Sequence, residues 1–382
     1  MTIIIDQFID KVQLADLASQ CVECEECFKA CCSYLSLKKN EVSPMGRLKV
    51  LSKFFDGSSI EPDELEAIYL CTECGGCDVV CSAGIPISEV IADSKIALAE
   101  SGQGPLEQHQ KMIQSIFDKG NAVSGKPEKR LDWIPEKYRE NVKFEDAEGD
   151  TLLYVGCLSS FVDKQTASAS LEILIKAGLD FKLLKDEFCC GIYPYNAGKI
   201  QEAEKIFRQM LEKFKVSGIE KMIVPCAGCY RAFSKYYPRV LGDFDIEILH
   251  ISEVIIKLLR DKKITPTREN GMVTYHDACK IGRKSGFYEE PREILSLCGY
   301  EINELKQNRE NGVCCGSGSG VRSINRGLSM DIASGILADA ETDSVVSTCP
   351  FCIFNFNYTA HKKSFDKKAV HISVLVRDCL TE

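Results

Sequence analysis

Twenty-one cysteines stand among 382 residues, and eighteen of them obey two spacing rules, each used twice. The first rule, C-x-x-C-x-x-C-x-x-x-C, is met by Cys21, Cys24, Cys27 and Cys31, and again by Cys71, Cys74, Cys77 and Cys81. The second is a single cysteine, then Cys-Cys-Gly, then C-x-x-C. It is met by Cys157, Cys189, Cys190, Cys226 and Cys229, and again by Cys279, Cys314, Cys315, Cys349 and Cys352. Thiolates are soft ligands, and repeated clusters of them in a chain of this size point to iron and sulfide. A disulfide-stapled secreted scaffold is usually short. Here a hydrophobic content of 45% supplies cores that need no staples.

The first rule has a geometric reason. Three thiolates, each separated by two residues, wrap one corner of a small cluster. The fourth, three residues further on, departs on a helix and ligates the other cluster in two-cluster ferredoxins. One cubane [4Fe-4S] cluster is therefore expected on Cys21, Cys24, Cys27 and Cys81, and a second on Cys71, Cys74, Cys77 and Cys31. Two tetrahedral zinc sites are the alternative. The proline that usually follows the fourth cysteine is replaced by Cys32 in one motif and Ser82 in the other, and Cys32 reads as a spare thiol. In the second rule, five thiolates from three loops exceed what zinc or a cubane needs. Adjacent cysteines bridge neighbouring irons more readily than they grip one ion, so a larger or more open cluster is expected at each set.

The elements that must position these residues change along the chain. Residues 1–100 read as helices between cysteine loops, with Ile4, Phe8 and Val12, then Leu48, Leu51 and Phe55, at helical spacing. Residues 101–150 are polar and read as a connector with one helix near Gln110–Lys119. From 151 the rhythm is strand then helix, with strands expected at Thr151–Val155, Phe181–Leu184, Met222–Val224 and Ile246–His250. The order restarts at Met272. Cys157 to Cys279, Cys189 to Cys314, Cys226 to Cys349 and His250 to His371 are offsets of 122, 125, 123 and 121 residues. These offsets mark a tandem duplication, 151–265 and 266–382. The whole is an α+β multidomain chain: a helical two-[4Fe-4S] ferredoxin-like domain, then two α/β modules with parallel sheets. Ligands of such sheets sit beyond the carboxyl ends of the strands, where the cysteines fall.

These stretches resemble the Cys-Cys-Gly family, typified by the heterodisulfide reductase of methanogens. The resemblance rests on Cys189-Cys190-Gly191, Pro225-Cys226-Ala227-Gly228-Cys229-Tyr230, His276-Asp277-Ala278-Cys279 with Ile281-Gly282-Arg283, Cys314-Cys315-Gly316 and Thr348-Cys349-Pro350-Phe351-Cys352. Ser43-Pro44-Met45-Gly46-Arg47-Leu48 also matches a segment common between the cubane motifs. A cubane half followed by a double module is similar to that enzyme's fused D-type chain, which joins the C-type and B-type chains that are separate elsewhere. The resemblance implies a non-cubane [4Fe-4S] cluster on each five-cysteine set, with a disulfide substrate between them. The family often has histidine where this chain has Lys280. Lys280, Arg283 and Lys284 then either attract an anionic substrate or form a solvated basic loop. The resemblance implies a disulfide-reducing subunit in a hetero-oligomer, fed by a flavoprotein or cytochrome b subunit and acting on coenzyme M–coenzyme B heterodisulfide or a similar disulfide. The alternative is an electron-transfer subunit of a flavin-dependent 2-hydroxy acid or glycerol 3-phosphate dehydrogenase. A third reading puts zinc in one Cys-Cys-Gly site as an anchor.

The remaining signals are weaker. Gly316-Ser317-Gly318-Ser319-Gly320 lacks the Lys-Ser/Thr of a nucleotide loop and reads as backbone packed near a cluster. His250 and His371 read as structural, and Cys298 and Cys379 as core. A net charge of −9, with its acidic excess in residues 1–100, argues against nucleic acid. No apolar run approaches the roughly 20 residues of a membrane helix. A cytoplasmic protein is expected, peripheral to a membrane only through a partner.

Overall fold

The computed structural model describes residues 7–267 and 270–380. Six helices build the first part: α1 (Lys11–Ser19), α2 (Cys32–Leu37), α3 (Pro44–Phe55), α4 (Pro62–Tyr69), α5 (Gly76–Val80) and α6 (Ile87–Glu100). Caps explain where they begin. The Asp10 carboxylate accepts from the Gln13 amide at 2.8 Å, and Ser43 Oγ accepts from the Gly46 amide at 2.9 Å with Pro44 at the first helical position. Leu14, Leu48, Leu51, Ile68, Ile91 and Leu98 fill a core between these helices. The expected Ile4–Phe8–Val12 stripe is not a helical face. Phe8 precedes the Asp10 cap and lies over Arg239, 4.1 Å from guanidinium carbon to ring centroid. Val12 is on α1 but 80% exposed, and Ile4 lies outside the described residues.

Residues 101–150 hold α7 (Glu107–Lys119) and a short edge strand, β1 (Lys143–Phe144). The first sheet continues with β2 (Thr151–Leu153), β3 (Lys182–Leu183), β4 (Lys221–Val224) and β5 (Glu247–His250) in the order β1-β3-β2-β4-β5. The second has β6 (Met272–His276), β7 (Glu301–Glu304), β8 (Ser344–Ser347) and β9 (Lys368–His371) in the order β7-β6-β8-β9. Every pairing within both sheets is parallel. Apart from β1, the second order repeats the first, as the duplication requires. Parallel strands need covered faces, and the two modules cover each other. One apolar cluster joins Leu153, Ile223 and Ile255 of the first to Tyr275, Val346 and Ile372 of the second. Among the described residues no helix is long and apolar enough to cross a membrane.

Candidate functional site

The cysteines follow strand ends. Cys157 and Cys226 come just after β2 and β4, and Cys279 and Cys349 just after β6 and β8. In each sheet these two strands are neighbours from which the chain winds in opposite directions. That is the switch point at which open parallel sheets leave a crevice for ligands. The Cys-Cys-Gly loops after β3 and β7 deliver Cys189-Cys190 and Cys314-Cys315 to the same crevices. Their glycines are required. Gly191 has φ +75° and Gly316 φ +87°, and a Cβ on Gly316 would meet the Ser329 carbonyl oxygen at 2.7 Å.

All five first-site cysteines are buried, as are Cys314, Cys315, Cys349 and Cys352 of the second, with Cys279 half-buried. Cys279 and Cys314 Sγ lie 4.0 Å apart. The two sites abut, because Cys226 of the first hydrogen-bonds Cys349 of the second. Each copy treats its second vicinal cysteine alike. Cys189 and Cys229 donate to Cys190, and Cys314 and Cys352 to Cys315, bringing both thiols down to about 6 against the upward push of burial. The first site is also held from outside. Glu187 accepts from the Val155 and Gly156 amides at 3.0 Å and pairs with buried Arg130 at 3.1 Å, steadying the turn that carries Cys157. Burial raises the Glu187 carboxyl to about 7 despite Arg130.

The other two sets differ in depth. Cys24 is exposed, Cys21 and Cys81 are half-buried, and Ser82 Oγ lies 3.2 Å from Cys24 Sγ. Cys31, Cys71 and Cys77 are buried, and Cys74 reaches across to hydrogen-bond Cys314. Spare Cys32 joins that contact, hydrogen-bonding Cys74 and Cys314. Beside this inner set lies Arg47, 1% exposed, its Nη1 3.6 Å from Cys31 Sγ and its Nε donating to the Ala67 carbonyl at 2.7 Å. Burial would lower its pKa, but the sulfurs of Cys71, Cys31 and Cys77 outweigh burial and raise it. No carboxylate of the described residues pairs with this guanidinium, and its Nη2 has no partner. A buried cation whose charge is answered by sulfur alone fits an anionic thiolate cluster. Sequence reasoning had the motif around Arg47 but not its role.

The first hundred residues dock on both modules through buried ion pairs. Asp93 meets Arg239 at 2.6 Å, Glu89 meets Arg231 at 3.3 Å, and Lys284 meets Asp78 at 3.2 Å and Glu89 at 3.1 Å. Part of the acidic excess is therefore internal. Neither expectation for the Lys280 loop holds in full. Lys284 is taken up by those carboxylates, and Arg283 donates to the carbonyls of Cys74, Glu310 and Gly312. Lys280, 8% exposed, lines a cavity with the second-site cysteines, whereas Arg283 and Lys284 line a separate cleft beside Cys81. The glycine-rich loop packs as expected: a Cβ on Gly318 would lie 2.4 Å from the Thr72 carbonyl oxygen. His250 and His371 cap helices, accepting from the Ser252 and Ser373 amides at 3.2 Å. Cys298 and Cys379 are buried together, and Asn270 donates to Cys379 Sγ at 3.2 Å.

Two cavities open at the paired sites. One of about 390 Å³ is lined by all five first-site cysteines, and one of about 90 Å³ by all five of the second. They share Ile192, Tyr193, Gly228, Ser317 and Phe351, so they are adjoining halves of one space. A larger cleft of about 580 Å³ touches spare Cys32 but none of the eighteen patterned cysteines.

Known proteins share this arrangement. A 4Fe-4S dicluster domain matches residues 17–85, and the Cysteine-rich (CCG) domain matches 151–234 and 273–357. The D chain of the dihydromethanophenazine:CoB–CoM heterodisulfide reductase of Methanosarcina mazei is 31% identical over 367 residues, 89% of this chain and 88% of that protein. The chain belongs to the D-type family of heterodisulfide reductase subunits. Members of the wider group differ in what they are named for. The EtfAB:quinone oxidoreductase of Syntrophomonas wolfei is 31% identical over 75% of this chain and 43% of its own length. The B chain of fumarate reductase (CoM/CoB) of Methanothermobacter marburgensis is 26% identical over 93% of this chain and 71% of its own length. Family membership makes the chain an iron–sulfur electron-transfer subunit of a disulfide reductase-like enzyme.

Proposed function

We propose that this chain reduces a disulfide as one subunit of a hetero-oligomer, with an electron donor that is a flavoprotein or cytochrome b subunit. Cys21, Cys24, Cys27 and Cys81 hold one cubane, and Cys71, Cys74, Cys77 and Cys31 the other. Cys157, Cys189, Cys190, Cys226 and Cys229 hold one non-cubane [4Fe-4S] cluster, and Cys279, Cys314, Cys315, Cys349 and Cys352 the second. When bound, these clusters supply and pass single electrons, two of which, with two protons, convert RS–SR′ into RSH and R′SH.

The observation that carries the reading is the continuity of sulfur from surface to cavity. Cys24 is exposed where a donor can dock, Cys74 touches Cys314, and Cys349 touches Cys226. The adjoining cavities then give an elongated disulfide one sulfur-lined wall for each half. Phe351 lines both, and Lys280 places an ammonium in the second cavity where the family often has histidine.

The likeness to an EtfAB:quinone oxidoreductase over three quarters of the chain favours a second reading, in which the same cysteines serve only to relay electrons for a flavoprotein. Anaerobically purified protein separates the two. It is expected to carry about sixteen irons, four per cluster, and to reduce coenzyme M–coenzyme B heterodisulfide with reduced viologen. Full iron with no turnover on this or other low-molecular-weight disulfides leaves the relay. About twelve irons with one zinc per chain would replace one Cys-Cys-Gly cluster by an anchor.

A further inference from the structure

Three of the twenty-one cysteines, Cys32, Cys298 and Cys379, fall outside both spacing rules. Cys32 lies among the ligands of the inner set. The other two lie elsewhere. Cys298 closes the helix Glu289–Leu297 just before β7, and Cys379 is the last residue of the helix Ile372–Cys379 that follows β9. Both are therefore at the amino ends of the strands, the edge of the second sheet opposite to the crevice that gathers the patterned cysteines.

The two are 81 residues apart in the chain, yet they meet in the interior, 0% and 1% exposed. Cys298 donates its S–H to the Cys379 sulfur. Asn270 Nδ2 donates to the same sulfur at 3.2 Å, and the Tyr300 hydroxyl lies 3.8 Å from it. A cysteine that only fills a core needs no donors. Three of them around one sulfur answer a thiolate, the form that attacks disulfides. The hydrogen bond from Cys298, with those from Tyr300 and Asn270, brings the Cys379 thiol down to about 7 against burial and the Asp378 carboxylate, while Cys298 keeps its proton. The pair is also tied to the segment that leads into β6. Asn270 Nδ2 donates to the Cys298 carbonyl at 2.6 Å, the Thr267 amide donates to the Cys379 carbonyl at 3.1 Å, and Pro266 bridges to Leu380.

We infer that Cys298 and Cys379 form a reversible redox dithiol, whose oxidation by a low-molecular-weight disulfide cross-links the ends of these two helices. The Cys379 thiolate attacks one sulfur of XS–SX, forming Cys379–S–SX and releasing XS⁻, which takes from water the proton that Cys379 gave up. The Cys298 sulfur then displaces the second XS⁻, and the Cys298 proton leaves with it. Two protein sulfurs lose two electrons, and XS–SX becomes two XSH. Access requires only the last helical turn to open, where Asp378 is exposed and Leu380 half-buried. The new bond closes a loop that contains β7, β8 and β9, so oxidation stabilises the second module without using a patterned cysteine. The inference does not depend on what the patterned cysteines reduce.

The test uses the cluster-loaded protein. It is equilibrated anaerobically with 2-mercaptoethanol and 2-hydroxyethyl disulfide over a range of ratios, quenched in acid, alkylated and digested for peptide mass spectrometry. A Cys298–Cys379 cross-link is expected to grow with the ratio of disulfide to the square of thiol and to vanish when thiol is restored, with iron unchanged. The cross-linked protein should unfold at a higher urea concentration than the reduced protein. Cys298→Ser should trap Cys379 as a mixed disulfide, and Cys379→Ser should leave Cys298 unmodified. Native protein in which both thiols are still alkylated at the most oxidising ratio overturns the dithiol, as does a cross-link from either one to a patterned cysteine. Equal modification of the remaining thiol in the two Ser variants overturns the role of Cys379 as the attacking sulfur.

Discussion

At the scale of single residues, chemistry was legible where it depends on spacing and hidden where it depends on contact. The eighteen cysteines could be sorted by number alone, because their intervals reflect strand ends and tight cluster loops. Arg47 could not. One arginine in a helix is ordinarily a solvated residue, and only the fold puts it 3.6 Å from Cys31 Sγ with no carboxylate of the described residues paired to it. Its buried charge should make reduction of the inner cubane harder to reverse. Replacing Arg47 by Gln removes a cation facing an anionic cluster, so the midpoint potential is expected to become more negative, by about 60 mV for a tenfold change in the one-electron equilibrium. Potentiometric titration followed by electron paramagnetic resonance reads this directly. An unchanged potential in a variant with full iron would remove Arg47 from the electrostatics of the site. The basic residues noticed in the sequence, Arg283 and Lys284, proved to be structural.

At the scale of elements, the strand–helix alternation and its repeat were readable because cysteines follow β2, β4, β6 and β8 at short distance and His-Ile-Ser closes both β5 and β9. The expected strands all exist, three of them shorter than expected: Thr151–Leu153 in place of Thr151–Val155, Lys182–Leu183 in place of Phe181–Leu184 and Glu247–His250 in place of Ile246–His250, while Lys221–Val224 is one residue longer than Met222–Val224. The ends are trimmed because the chain turns early to present Cys157 and the Cys-Cys-Gly loop. The helical stripe that began at Ile4 failed because Asp10 caps α1 and stops the helix from extending back to Phe8. Local conformation also decides which Cys-Cys-Gly substitution is fatal. At Gly191 a Cβ would press on the buried Phe207 ring, and at Gly316 it presses on the backbone carbonyl of Ser329, which cannot rotate away as a side chain can. Gly316→Ala is therefore expected to cost well over 1 kcal/mol at that loop and to remove about four irons, leaving both cubane signals in place. Retention of full iron would show that the loop tolerates a side chain and that the left-handed glycine is not what sets the ligands.

At the scale of the whole molecule, the sequence showed an acidic first third but not its purpose. Asp93 and Arg239 are 146 residues apart, and no local pattern announces such a pair. These contacts lock the 4Fe-4S dicluster domain over both modules, and buried neutral histidines add a pH dependence. Burial lowers His109 and His250 to about 3 and His371 to about 4. An unfolded histidine takes up its proton near pH 6.5, while these three do not until pH 3 to 4. Stability should accordingly fall as pH drops below 6.5, by about 2 kcal/mol per histidine at pH 5. Glu187, raised to about 7, acts in the opposite sense between pH 7 and 4.5 and offsets roughly one of the three. His109 sits between Tyr69 and Tyr193 with both ring nitrogens unpartnered, so His109→Phe should preserve the packing and flatten the profile by one histidine's share. Anaerobic unfolding at pH 7 and pH 5 checks this, and identical pH slopes in the two proteins would contradict it.

The central claim is that sulfur is continuous from an exposed cubane to a cavity where a disulfide is opened. The most direct measurement is a single turnover. Protein loaded with about sixteen irons is reduced, freed of excess reductant and mixed with coenzyme M–coenzyme B heterodisulfide, while thiols and cluster oxidation are counted together. The structure predicts two thiols released for every two electrons lost, with the cubanes reoxidised in step. Cubanes that stay reduced and release no thiol in the presence of the disulfide would contradict it.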